Sequence, residues 1–393
     1  MEPMPYDFDK KIERTGTDSV KYDLVGELFG SEDLLPMWVA DMDFEVPDFI
    51  REAIAARNEH PILGYTYRPV RFFEALTAWL ERRHQWKVSP GSVSFSPGIV
   101  PALNLCVLGM TAPGDRIVVQ PPVYFPFFKA VTDHGRELVH NPLIADQGHY
   151  RIDFEHLEAE FRKGVSMLLL CHPHNPVGRV WTAEELEMLA TLCIRYQVQV
   201  VSDEIHSDLL LFGHRHIPLA SLGKEIADLT ITCVAPSKTF NLAGLHSSGV
   251  ILTNPDLKLK YDTMLNAVHV GGGNIFGQVA MEAAYTHGDA WLDQLITYLE
   301  NNFRILSEGL QAAVPGLVIS PLQATYLAWL DFSFLNMEDR ELKEFIIRKA
   351  RLGLNDGPMF GPGGEQHQRL NLATQTDTVK EATRRIIEAV RSF

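Results

Sequence analysis

The chain has only four cysteines in 393 residues: Cys106, Cys171, Cys193 and Cys233. Each lies in an apolar segment and none forms a C-x-x-C pair. This argues against a disulfide framework and reads as reduced core thiols of a cytoplasmic protein. Basic residues are also scarce: 35 Lys and Arg stand against 50 Asp and Glu, a formal net charge of −15, with no lysine- or arginine-rich run. Nucleic acid is therefore excluded as a main partner, because binding its backbone needs basic surface. No stretch of about 20 uncharged apolar residues is present, so no membrane-spanning segment is expected. The polar start, "MEPMPYDFDKKIERTG", lacks an apolar signal core. A dinucleotide fingerprint is missing too, because "GGGNIFG" at 271–277 follows a helix-like segment rather than a strand. That weakens a nicotinamide dehydrogenase reading. The pairs "HPH" (172–174) and "HRH" (214–216) have no nearby acidic ligand set, and no metal is assigned.

What is present is apolar and alternating. Hydrophobic residues make up 46% of the chain, enough for a large core. At roughly 100–200 residues per domain, this length suggests two or three domains. "RIVVQ" (116–120), "SMLLLCHP" (166–173), "VQVVSDE" (198–204), "LTITCVA" (229–235) and "SGVILT" (248–253) read as buried strands. Their unbroken apolar runs suit strands covered on both faces. "TAEELEMLATLCIRY" reads as a helix, with Thr182 and Glu185 as a capping box. The pattern is α/β, a largely parallel sheet between helices. From about 289 it changes: a long helix, the strand-like "LVISPLQATYLAWLDFS", the helical "EDRELKEFIIRKA", the strand-like "QRLNLAT" and a last helix from Asp377. The expected organisation is an N-terminal segment (1–47) packing with a small α+β domain (289–393), and a large domain (48–288).

Ligands of α/β sheets sit beyond the carboxyl ends of strands. Asp203, Asn175 and Lys238 all fall at such ends. A lysine there is either one that snorkels to the surface or one kept neutral to attack a carbonyl. Asp203 has a solvated strand-end acid as its plain alternative, and Asn175-Pro176 a simple turn. Gly98 opens a helix from Ile99 whose free amides suit a phosphate, or the helix is an ordinary one. Tyr124 could offer its ring to a planar ligand, or fill core. Arg369, leading into an apolar strand, suits a substrate carboxylate or a structural salt bridge.

Taken together, "GYTYRP", "SPGIVPAL", "VYFPF", "HNPVGRVW", "SDEIHSDL", "SKTFNLAGL" and "RLNLA", in this order over nearly the whole chain, resemble the fold-type I pyridoxal 5′-phosphate enzymes, the aspartate aminotransferase superfamily. The resemblance implies a mostly parallel seven-stranded sheet in the large domain and a homodimer with shared active sites. It implies that Lys238 holds the cofactor and moves the substrate's α-proton, and that Asp203 pairs with the pyridine nitrogen. Asn175 and His206 would neighbour the ring oxygen, with Tyr124 stacked on the ring. The amides of Ile99 and Val100, with Ser237, would hold the phosphate, which Tyr65 would reach from the other subunit. Arg369 would take the substrate carboxylate. Two positions depart from the common aminotransferase pattern. His246 stands where a phosphate-binding arginine is usual, and Ala235 where a serine is. With "PMWVADMDF", which would bring Trp38, Val39 and Ala40 to the substrate, they make the chain similar to the cystathionine β-lyase-like C–S lyases. The implied reaction is β-cleavage of a sulfur-containing amino acid, with transamination as the alternative.

Overall fold

The computed structural model describes residues 6–393; residues 1–5 of the expected N-terminal segment lie outside the described residues. Seven strands form the central sheet: β1 (Val93–Ser96), β2 (Arg116–Val119), β3 (Glu137–His140), β4 (Val165–Cys171), β5 (Gln199–Asp203), β6 (Thr230–Val234) and β7 (Ser248–Ile251). Their order is β1-β7-β6-β5-β4-β2-β3. β2 to β6 pair in parallel, and β7 runs antiparallel to both its neighbours. The continuous apolar runs of β4, β5 and β6 are buried on both faces, as their composition requires. Between β4 and β5, the helix Ala183–Tyr196 starts on the reciprocal Thr182–Glu185 capping box and buries Leu186, Leu189 and Cys193.

A second, antiparallel sheet holds β8 (Val318–Ile319), β9 (Leu327–Asp331), β10 (Asn355–Asp356) and β11 (His367–Asn371), in the order β8-β9-β11-β10. The long helix Asp289–Ala313 and the last helix, Thr376–Arg391, pack on each other beside it. The apolar text 317–333 is not one strand. It breaks between β8 and β9, where Thr325 sits at φ 74°, a region β-branched residues avoid. The expected helix 338–350 is also divided, into Asp339–Phe345 and a wider π-helical turn at Ile346–Ala350.

The N-terminal segment is tied down twice. Leu35–Pro36 pairs in parallel with Leu352–Gly353. Farther along, the buried Lys21 meets Asp43 at 2.7 Å, and Arg14 meets Asp41 at 2.6 Å and Asp43 at 2.7 Å. These ion pairs and the backbone bond from Asp43 N–H to the Ala373 carbonyl (2.9 Å) hold residues 38–43 as a strap. No described helix is long and apolar enough to cross a membrane.

Candidate active site

The sheet order places four strand ends side by side. β5 ends on Asp203, in register with Cys171 of β4 and Cys233 of β6. Asn175 follows β4, Tyr124 follows β2, and Lys238 lies in the short helix Pro236–Thr239 after β6. The helix Ile99–Met110, which follows β1, points its N-terminus at the same place, and no side chain caps it. Its first amides are therefore available to an anion. A cavity of about 160 Å³ opens among these ends. Ala40, Ile99, Val100, Tyr124, Asn175, Asp203, His206, Ser237 and Lys238 all line it.

Electrostatics follow from burial. Lys238 donates from Nζ to the Ala40 carbonyl at 2.6 Å. Burial, and then Arg369, push its amine down to about 8, against the pull of Asp41 and Asp203. Asp203 accepts one bond, from the Ile205 amide at 3.1 Å. Burial pushes its carboxyl up to about 7, against the pull of the Ile205 amide and of Lys238. Burial drives His206 well below the usual imidazole range, which leaves it neutral, with a buried Nδ1 that has no partner.

Arg369 is buried in β11 at 3% exposure. It donates to Asn175 Oδ1 (3.0 Å), the Trp38 carbonyl (3.2 Å) and Asn355 Oδ1 (2.6 Å), and its Nε has no partner. None of these bonds goes to a carboxylate, so the structural salt bridge weighed from sequence is not what holds it. Burial lowers its guanidinium to about 10, still cationic at neutral pH. An unpaired buried cation is costly, and an incoming carboxylate would neutralise it.

The chain's own fold does not bring every candidate together. Trp38 meets Arg369 through its carbonyl, while its indole donates to the Lys21 carbonyl at 3.0 Å and packs edge-on against Phe29. Tyr65 is fully exposed and lines no part of the cavity. His246 and Ala235, the two departures, do line it, together with Cys171, Ile205, Ala243 and Ser247, which sequence reasoning did not single out. Tyr326 was also missed. Its hydroxyl donates to the Ala40 carbonyl at 2.9 Å, and "QATYLAWL" reads only as core strand. The paired histidines serve the scaffold: His172 donates to the Ile217 carbonyl (3.1 Å), His174 to the Pro122 carbonyl (2.9 Å), and His216 meets Glu204 at 2.7 Å.

The donor set suits an aldehyde cofactor with a phosphate and a basic ring nitrogen: an amine of lowered pKa, a buried carboxyl at a strand end, and uncapped helix amides. Comparison with known proteins agrees. The chain is 47% identical over 384 residues to cystathionine beta-lyase PatB of Bacillus subtilis (strain 168), covering 98% of this chain and 99% of that one. Its structure matches that of cystalysin from Treponema denticola, which contains a pyridoxal 5′-phosphate cofactor, at a TM-score of 0.96 and 34% identity over 99% and 100% of the two chains. It matches the PLP-bound C-S lyase from Staphylococcus hominis at 0.91 and 34%, over 98% of each. Residues 32–386 match the family described as aminotransferase class I and II, and the chain belongs to that family.

Proposed function

We propose that this chain is a pyridoxal phosphate-dependent β-lyase that cleaves the carbon–sulfur bond of cystathionine or a cysteine S-conjugate to a thiol, pyruvate and ammonia. The observation that carries an amino-acid substrate is Arg369, a buried cation whose hydrogen bonds go only to amide and carbonyl oxygens, on the site of Lys238 and Asp203. The choice of carbon–sulfur cleavage rests on the full-length likeness to a cystathionine beta-lyase and to C-S lyases.

Bound pyridoxal phosphate would supply an electron-withdrawing ring that takes up the charge left when the α-proton is removed. The amides of Ile99 and Val100 and the Ser237 hydroxyl would hold the phosphate, and Tyr124 would cover the ring. Asp203 would keep a proton on the ring nitrogen. The Asn175 oxygen is engaged by Arg369, so its amide nitrogen is the group left for the ring oxygen, with neutral His206 beside it. Arg369 would orient the substrate through its carboxylate, with Trp38 and Ala40 on the substrate side. Lys238 Nζ would take the α-proton as general base. As the carbon–sulfur bond breaks, sulfur keeps the electron pair and takes a proton from Lys238 or Tyr124. The three-carbon enamine left over hydrolyses to pyruvate and ammonia.

Purified protein given cystathionine should form pyruvate steadily with no keto acid added, and should transfer amino groups from alanine or aspartate far more slowly. Turnover that stops after one equivalent and resumes on adding a keto acid would select the aminotransferase reading.

A homodimer with shared sites belongs to this proposal. Ile62, Leu63, Tyr65, Tyr67 and Val70 are all exposed, an apolar stretch that a second copy would cover. Its neighbour is the 268–274 loop, through the bond from Arg68 to the Gly272 carbonyl (2.8 Å). Tyr65 would then reach the phosphate of the other copy. Mixing inactive Tyr65→Phe with inactive Lys238→Ala subunits should restore activity in hybrids, each holding one site with both native residues. No recovery after confirmed subunit exchange would put both residues in one chain's site. The expected limits 1–47, 48–288 and 289–393 are kept as the proposed domain organisation. Four buried, unpaired cysteines support a cytoplasmic location.

A further inference from the structure

The Ala40 carbonyl receives two donors, one from each proposed domain's share of the site. Lys238 Nζ lies 2.6 Å away and Tyr326 Oη 2.9 Å away. A carbonyl oxygen has two lone pairs, so both are engaged. Tyr326 is held firmly. It opens toward β9 directly after Thr325, the β-branched residue at φ 74°. Such a conformation persists only where its surroundings impose it. Here Thr325 N–H donates to the Leu209 carbonyl at 2.8 Å, and Thr325 Oγ1 accepts from Leu327 N–H at 3.1 Å. Leu209 belongs to the loop that leaves Asp203, so the backbone that carries Tyr326 is tied to the segment that follows Asp203. The carbonyl is anchored as well: Asn371 Nδ2 donates to the carbonyls on either side of it, of Val39 and Asp41, each at 2.6 Å.

We propose that Tyr326 is a positioning residue for Lys238: its hydroxyl shares the Ala40 carbonyl with the lysine amine and limits how strongly that carbonyl holds the ammonium form. The inference rests on the proposed role of Lys238 as general base. A neutral amine that donates one N–H to Ala40 has its rotation fixed and its lone pair free. After taking a proton, the ammonium is stabilised by a charge-assisted bond to the same oxygen. A second donor on that oxygen weakens this bond and keeps the amine able to release its proton. The charged and titratable groups facing Lys238 are Arg369, which opposes its charge, Asp41 and Asp203, which favour it, and His206, held neutral. Tyr124 and His246 line the same cavity.

The test is the pH at which Lys238 of the full-length chain, freed of cofactor, becomes half-reactive toward an amine-selective label, read on its peptide by mass spectrometry. Tyr326→Phe leaves the anchored carbonyl to Lys238 alone, so the midpoint should rise by about half a pH unit to one unit. A fluorinated tyrosine at 326, a stronger donor of nearly the same shape, should lower it. In the loaded enzyme, Tyr326→Phe should move the lower limb of the kcat profile in the same direction, with KM unchanged within about twofold because Arg369 is untouched. Midpoints equal to the native one in both variants, or displaced in the opposite directions, would overturn the proposal. Native protein that forms no pyruvate would instead overturn the reaction assigned above, leaving the labelling result to stand or fall alone.

Discussion

Lys238→Ala should lose several orders of magnitude in turnover while still binding cofactor. Among the described residues Lys238 is the one amine on the cavity wall, and its lowered pKa gives it a sizeable neutral fraction near pH 8. Removing a group that acts both as attachment point and as proton carrier has effects of this size, because no neighbour can replace it. The phosphate contacts proposed for Ile99, Val100 and Ser237 do not involve the lysine, so the variant should retain cofactor, more loosely. In native protein, borohydride should fix the cofactor to the peptide containing Lys238. Label on another lysine, or a Lys238→Ala variant with near-native turnover, would end the assignment.

Arg369→Gln should separate function from stability. In native protein the guanidinium is buried against Asn175, Asn355 and the Trp38 carbonyl, with no carboxylate among its bonds. A substrate carboxylate would complete it with a buried, charge-assisted pair. Truncating one side of such a pair costs about 2–5 kcal/mol. A fall in kcat/KM of about 10²–10³-fold follows, carried mainly by KM. The folded chain, by contrast, loses an unpaired buried cation, so its thermal midpoint should hold or rise. A variant that melts well below the native protein, yet keeps its KM, would make Arg369 a scaffold residue and leave the substrate carboxylate without a receiver.

Much of this was legible in the linear text, for local reasons. Buried parallel strands need unbroken apolar runs, so β2, β4, β5, β6 and β7 could be read directly. The two strands of the central sheet that were missed lack that signal. β1, "VSFS", is short and half polar, and β3, "ELVH", lies at the sheet edge, where one side need not be apolar. Strand ends fixed where Asp203, Asn175 and Lys238 would fall, since ligands of such sheets gather there. The thin apolar text 317–333 could not announce its break, because the turn with Thr325 at φ 74° is held by bonds to the Leu209 and Gly178 carbonyls, over a hundred positions away.

What the sequence determined by itself was which residue types stand at which strand ends, and hence the chemistry on offer. Only the tertiary structure decided how they are partnered. It gave Arg369 amides instead of an acid, turned the Trp38 indole away while aiming its carbonyl inward, left Tyr65 outside its own chain's cavity, and brought Tyr326 and Lys238 to one oxygen of Ala40. Periodicity records whether a side chain is buried. It does not record which neighbour, from a segment hundreds of residues away, will meet it there.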